Sequence, residues 1–162
     1  MMNRVIFFFI TACLLSCSKN TKNTITEDQA ISVLKGFFTA MDIDNLGSDL
    51  VYNYTTTDFV IYEMGDKYDL ESFLDIIKSH FKKGYISTQW SLYDFKVSID
   101  SNTAHISYFN KGKFTFIEDG ITKEENIQWL ESVYLKYEEG VLKLSFLQSD
   151  DISREVIELT SK

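Results

Sequence analysis

Two glutamates occupy positions from which a carboxyl group could carry out acid–base chemistry. Glu131 alternates with Ile127, Trp129 and other apolar residues, so it shares their face of a predicted strand. Burial without a partner would raise the pKa of Glu131, which suits a general acid or base. The alternative is a position at the sheet rim or in a contact between subunits. Glu63 ends a short strand beside the Gly65 turn and is the second candidate; its candidacy rests on a family resemblance of this region, and solvated charge at a strand end is its alternative.

One amide and three aromatic side chains complete the predicted ligand pocket. Gln148 shares the parity of the apolar residues of the last predicted strand and could hydrogen-bond a ligand, or be a strand-end amide. Trp129, Tyr62 and Tyr108 combine a large apolar surface with a polar tip, which suits a pocket for an apolar molecule. The same aromatic residues also fit a filled core or a sheet face that dimerises.

The histidine positions and the net charge exclude several classes of function. The two histidines, His80 and His105, fall on polar faces and show neither metal-ligand spacing nor a triad order. We therefore predict no metal and no cofactor, and we assign no catalytic residue. The 162-residue chain has a net charge of −8, which argues against nucleic acid as a partner. Acidic pairs such as Glu124-Glu125 are interpreted as solvated turns.

The first 17 residues have the pattern of an export signal. Residues 5–15 form an apolar run after Arg4 that would rise only about 16 Å as a helix, too short to cross a bilayer. The sequence Leu-Leu-Ser-Cys ending at Cys17 resembles the lipobox of bacterial lipoproteins, in which the cysteine is lipidated. We predict a signal peptide at residues 1–16, lipidation of Cys17 and a flexible tether over 17–25. An ordinary signal peptide with an incidental cysteine is the alternative.

The predicted export signal and lipidation site determine where in the cell the protein is expected. Cleavage before Cys17 removes Cys13 and Arg4 and leaves a net charge of −9, so anionic lipid would repel the domain and the lipid must anchor it. With Ser18 following the cysteine, resemblance to the sorting rules of Gram-negative lipoproteins implies the outer membrane. We expect the domain to face the periplasm.

The remaining residues, 26–162, read as one α+β domain. Thr26 and Gln29 form a capping box before an apolar helical stripe, and Asp69 caps a second such helix that stops near Gly84. A short helix over 48–54 and a strand over 59–62 lie between them. About four alternating segments then follow, with a bulge predicted at 110–112, and a last helix is predicted from Asp150 or Asp151. Helices that precede consecutive strands predict helices packed on one face of a sheet.

Two stretches of this domain resemble the nuclear transport factor 2-like superfamily, which includes ketosteroid isomerases and polyketide cyclases. They are Asp58-Phe59-Val60 with Gly65 and Asp69-Leu70-x-x-Phe73-Leu74, and Trp129-x-x-Ser132-Val133-x-x-Lys136 followed by Gly140-x-Leu142-Lys143-Leu144. The sequence departs from the family pattern at Leu142, where tryptophan is typical, and at Gln148, where relatives often have histidine. The resemblance implies a cone-shaped, strongly curved, mostly antiparallel sheet wrapped around N-terminal helices.

The combined expectation is a lipid-anchored envelope protein whose domain binds an apolar small molecule or an envelope protein without catalysis. One alternative is an isomerase or cyclase that uses a pocket carboxylate as its base. Another is a structural module that forms a homodimer. The discriminating feature is geometric, because an enzyme needs an open pocket that holds a carboxylate of shifted pKa beside a hydrogen-bond donor.

Overall fold

The computed structural model describes residues 24–159, which form two α-helices, one 3₁₀ helix and six strands. The elements, in chain order, are α1 (Glu27–Ala40), the 3₁₀ helix (Asp49–Asn53), β1 (Thr55–Glu63), β2 (Asp66–Asp69), α2 (Leu70–Phe81), β3 (Tyr85–Asp100), β4 (Thr103–Glu118), β5 (Ile121–Glu138) and β6 (Val141–Glu158). The predicted order of helices followed by strands is confirmed.

The strands form one curved, open sheet in the order β2-β1-β6-β5-β4-β3. β1 runs parallel to β6, and every other neighbouring pair is antiparallel. Helix α1 packs against β3, β4 and β6, so the sheet wraps around it. The predicted α+β architecture, a curved and mostly antiparallel sheet around the helices, is confirmed.

Both helices begin and pack as their sequences predict. The Thr26 hydroxyl accepts a hydrogen bond from the Gln29 amide nitrogen at 3.2 Å, and Gln29 Oε1 accepts one from the Thr26 nitrogen at 3.0 Å. Asp69 caps α2 by accepting a hydrogen bond from the Ser72 nitrogen at 2.8 Å. The helical stripes are buried under the sheet, at Ala30, Leu34 and Phe37 in α1 with Met41 directly after it, and at Leu70, Phe73, Leu74 and Phe81 in α2.

Two local predictions are wrong. Residues 150–158 are not a helix but continue β6, because β5 already begins at Ile121 and its first half offers a ladder of hydrogen bonds to them. Residues 110–112 form no bulge, since their register with both neighbouring strands is continuous. Gly112 is required for another reason: a Cβ atom there would lie 2.6 Å from the Phe114 ring and 2.7 Å from the Trp129 ring.

Bulges do occur in β6, and they decide which side chains face inward. Against β5, Tyr134 pairs with Phe146 but Leu135 pairs with Leu144, so Ser145 is an extra residue. Further along, Gln128 pairs with Ser153 and Trp129 with Asp151, so Ile152 is a second extra residue. Because each extra residue reverses the alternation of β6, the inward positions become Leu147 and Ser149 and, after the second bulge, Arg154.

The predicted signal peptide and Cys17 lie outside the described residues. Ile25, which is predicted to belong to the tether, is only 2% exposed and belongs to the core. Within residues 24–159, no helix has the length and apolar character needed to cross a membrane.

Candidate functional site

A cavity of about 300 Å³ lies between the end of α2 and the inner face of the sheet. Its wall is largely aromatic. Trp90 and Phe114 pack edge to face with their ring centroids 5.3 Å apart, and Trp129 lies 6.2 Å from Phe114. The cavity is also lined by the apolar side chains of Phe38, Phe81, Ile61, Ile77 and Leu147.

Glu131 lines this cavity and is only 5% exposed. Its strand neighbours are Tyr108 on β4 and Ser149 on β6. Burial raises the pKa of Glu131 to about 7; the neighbouring polar groups of Tyr108, Ser149 and Asn110 oppose that rise, and the nearby Glu63 carboxylate adds to it. The predicted inward position of Glu131 therefore comes with the shifted pKa that acid–base chemistry requires.

Polar atoms beside Glu131 are left without partners. Glu131 Oε2, the Tyr108 hydroxyl, both side-chain amide atoms of Asn110 and Trp129 Nε1 are buried and make no hydrogen bond of good geometry within residues 24–159. Because an unpaired buried polar group costs roughly 1–3 kcal/mol, such a cluster is unusual in a core that serves stability alone.

Glu125 marks the other end of the same face of β5, and its carboxylate is fully partnered. Arg154 Nη1 lies 2.9 Å from Glu125 Oε1, and the Tyr85 hydroxyl donates to Oε2 at 2.8 Å. His80 Nε2 lies 3.8 Å from the same Oε2. Arg154 also reaches Asp151 Oδ2 at 3.0 Å, so these side chains form a charged cluster at the cavity wall.

Glu63, the second carboxyl predicted from the sequence, also lines the cavity. Its pKa is raised, first by burial and then by the Asp151 carboxylate, while Arg154 opposes the rise. The structure thus brings Glu63, Glu131 and Trp129 together in one cavity. Tyr108, also predicted for the pocket, is buried beside Glu131 on the neighbouring strand but does not line the cavity.

Two other predicted pocket residues lie on the outer face of the sheet. Tyr62 is 40% exposed and Gln148 is also exposed; they pair with each other across β1 and β6 on the outer face of the sheet. The bulge at Ser145 explains Gln148, since it reverses the parity that Leu142 and Leu144 would otherwise extend to it. Tyr62 follows plain alternation, because Ile61 and Glu63 on either side of it point inward.

Several cavity residues are not predicted from the sequence. The pair Glu124-Glu125 is typical of a solvated turn, yet Glu125 shares the parity of Ile127 and Glu131 and is only 6% exposed. Arg154 falls in the segment whose spacing predicts a helix. His80 lines the cavity at the last turn of α2 although its side chain is 41% exposed, and His105 is exposed.

The residues offer no metal centre. Within residues 24–159, no group of three or more His, Cys, Asp or Glu side chains is arranged to hold a metal ion. The arrangement is suited instead to holding an apolar molecule against Glu131 and to moving a proton at the Glu131 carboxyl.

Comparison with known proteins supports the fold. No family model matches the sequence, and no curated protein matches it. Solved structures do match. A nuclear transport factor 2-like protein from Cytophaga hutchinsonii has 15% identity and a TM-score of 0.62 over 79% of this chain and all of that one. A type 3 hexachlorocyclohexane dehydrochlorinase from Novosphingobium barchaimii has 11% identity and a TM-score of 0.62, covering 79% and 90% of the two chains.

A ketosteroid isomerase-like protein from Erwinia carotovora atroseptica is similar to the same extent, with 16% identity and a TM-score of 0.59 over 80% of this chain and 99% of that one. At these identities the similarity shows the fold alone, which is the nuclear transport factor 2-like α+β cone. Proteins of this fold include enzymes as well as proteins of unknown function, so the activity has to be argued from the cavity.

Proposed function

We propose that this nuclear transport factor 2-like domain binds a small, mainly apolar molecule in the cavity, with Glu131 holding its polar group. One observation carries the proposal: an aromatic cavity of about 300 Å³ contains a buried carboxyl oxygen with no partner among the described residues. Ligand cavities typically measure about 300–1,000 Å³ and combine apolar walls with a few polar groups. The cavity therefore fits a molecule of roughly one ring with a short substituent.

Tryptophan fluorescence tests binding directly, because both tryptophans of the chain, Trp90 and Trp129, line the cavity. Residues 18–162 contain every described element, so this lipid-free chain is the material to use. Native mass spectrometry after gentle purification reports any retained molecule and the oligomeric state together. A retained small molecule whose removal changes the fluorescence supports the proposal. A dimer without one, whose fluorescence no apolar probe changes, would instead favour a protein-binding or structural module.

Proton transfer on the bound molecule is the second candidate, favoured by the pKa of about 7 at Glu131 and by the adjacent Tyr108 hydroxyl. A base of that pKa is half ionised at neutral pH, and a buried hydroxyl donor could stabilise an enolate. The test is exchange of the protons α to the carbonyl of 2-indanone in heavy water, followed by NMR. Catalysis predicts exchange above the buffer rate that Glu131→Gln removes; exchange at the buffer rate in both proteins counts against it.

We further propose that the domain is anchored through lipidated Cys17 at the outer membrane and faces the periplasm. The support is the lipobox-like sequence before Cys17 and the serine that follows it. Cys17→Ser should release the protein from the membrane fraction. Retention of the variant in that fraction would contradict the lipid anchor.

A further inference from the structure

We propose that the molecule bound in the cavity is an organic cation, a protonated amine on an apolar body; this rests on the binding function proposed above. The geometry that carries it is a second carboxylate, Glu63, facing the same aromatic cavity as the unpaired Oε2 atom of Glu131. Glu131 is more than nine-tenths buried, so its oxygen is available to an occupant of the cavity rather than to bulk water.

The cavity lining carries three carboxyl groups, Glu63, Glu125 and Glu131. Among the described lining residues, only Arg154 and His80 can carry positive charge. Arg154 is held between Glu125 and Asp151 at 2.9 and 3.0 Å, and His80 faces Glu125 at 3.8 Å. Neither cation forms an ion pair with Glu131 or Glu63 among the described residues. Arg154 acts on Glu63 only from a distance, and burial and Asp151 still leave the pKa of Glu63 raised.

The aromatic walls suit a cation as well as an apolar group. Trp90, Phe114 and Trp129 present ring faces and edges around the cavity, with Trp90 and Trp129 centroids 6.0 Å apart. A cation within about 6 Å of an aromatic face is attracted by the ring quadrupole. The walls can therefore surround an alkylammonium group on the sides that Glu131 does not reach.

Other ligand classes fit less well. An anion would meet the carboxylates of Glu63 and Glu131 in a medium of low dielectric constant. A neutral apolar molecule without a donor would leave Glu131 Oε2 unpaired. A protonated amine supplies both an N–H donor and a compensating charge, and hydrogen bonds between ionised partners are the stronger ones.

The test compares three probes of similar size: N,N-dimethylbenzylamine, its neutral isostere isobutylbenzene, and the anion phenylacetate. Each is titrated into residues 18–162 at pH 8, where the amine is protonated and Glu131 is mostly ionised, and binding is followed by tryptophan fluorescence. We expect the amine to bind at least about tenfold more tightly than isobutylbenzene, a difference of about 1.4 kcal/mol, and phenylacetate to bind most weakly.

Variants assign the effect to the cavity carboxyl group. Glu131→Gln should reduce amine affinity to that of isobutylbenzene and leave isobutylbenzene binding within about twofold. Glu155→Gln makes the same change of charge at an exposed position on the outer face of β6 and should leave all three affinities unchanged. Unaltered circular dichroism confirms that the variants are folded.

The outcomes separate the two proposals. Equal binding of amine and isobutylbenzene, or tighter binding of phenylacetate, overturns the cation proposal while supporting a binding cavity. Amine binding that survives Glu131→Gln overturns it too. If none of the three probes changes the tryptophan fluorescence, the cation proposal and the binding function proposed above both fail.

Discussion

Glu125 and Glu131 lie six residues apart on the same face of β5, equally buried, in opposite surroundings. Glu125 is 6% exposed and contacts Arg154, Tyr85 and His80; Glu131 is 5% exposed, and its Oε2 atom has no partner among the described residues. The difference separates a carboxylate that holds the cavity wall together from one that is available to a ligand. Burial alone does not distinguish them, whereas the partners do.

The largest expected effect is a gain in stability from Glu131→Gln. The pKa of Glu131 is about 7 in the folded protein, against an ordinary value of 4.5 for a glutamate. A raised pKa means that the folded state binds the proton more tightly, so stability is lost as the pH rises from 4.5 through 7. The total loss is about 3 kcal/mol at about 1.36 kcal/mol per pH unit, and the Glu131→Gln variant does not incur it because its amide does not ionise.

Urea unfolding at two pH values checks this. Between pH 5.5, which is above the isoelectric point near 4.7, and pH 8, the advantage of the Glu131→Gln variant should grow by about 2 kcal/mol. A constant difference between the two proteins across this range would mean that Glu131 titrates as an ordinary exposed carboxyl. Glu155→Gln serves as the control for the change in net charge.

Glu125→Gln should lower the stability of the protein, whereas Glu131→Gln should raise it. It weakens the ion pair with Arg154 and leaves a buried amide beside the guanidinium, so we expect a loss of about 1.5 kcal/mol. The expected loss is smaller than for a fully buried ion pair, because the Arg154 side chain is 41% exposed and solvent screens the pair. Urea unfolding at pH 8, compared with Glu131→Gln, gives the sign of each; a gain in both variants would erase the distinction between the two glutamates.

A smaller loss should follow from Tyr85→Phe. Its hydroxyl donates to Glu125 at 2.8 Å, and removing one hydrogen bond to a carboxylate that keeps its arginine costs about 1 kcal/mol. The measurement is again the free energy of unfolding in urea. Because Arg154 remains, amine binding at Glu131 should stay within about twofold, and a larger change would show that the two ends of the cavity are coupled.

The sequence pattern is sufficient to predict helices α1 and α2 and the inward position of Glu131. The caps at Thr26 and Asp69 depend on neighbouring residues only, and the apolar stripes of α1 and α2 depend on a period that the backbone imposes. Glu131 is placed correctly because β5 keeps its alternation from Glu125 to Leu135 without a shift of face. Local information therefore predicts what local geometry determines.

The wrong predictions fall on segments whose conformation is determined by the neighbouring strand. The spacing of Ile152 and Val156 fits a helical face, but the first half of β5 pairs with this segment and holds it extended, which places Arg154 beside Glu125. The bulges at Ser145 and Ile152 follow from the registers of two strands and leave no signal in one of them. The charged cluster around Glu125 could not be assembled from the sequence, since its members come from α2, β3, β5 and β6.

The smallest expected effect is that of Gln148→Ala. Comparing it with Ser149→Ala, the next position on β6, tests the bulge at Ser145. Gln148 is exposed on the outer face, so Gln148→Ala should change stability by less than about 0.5 kcal/mol and leave amine binding unchanged. Ser149, one residue on, is 3% exposed and lowers the pKa of Glu131 by hydrogen bonding. Ser149→Ala should therefore raise the pKa of Glu131 further and shift the pH dependence of amine binding upward. If Gln148→Ala produces that shift and Ser149→Ala does not, β6 continues its alternation through Ser145, and the inner wall of the cavity is built from the other set of residues.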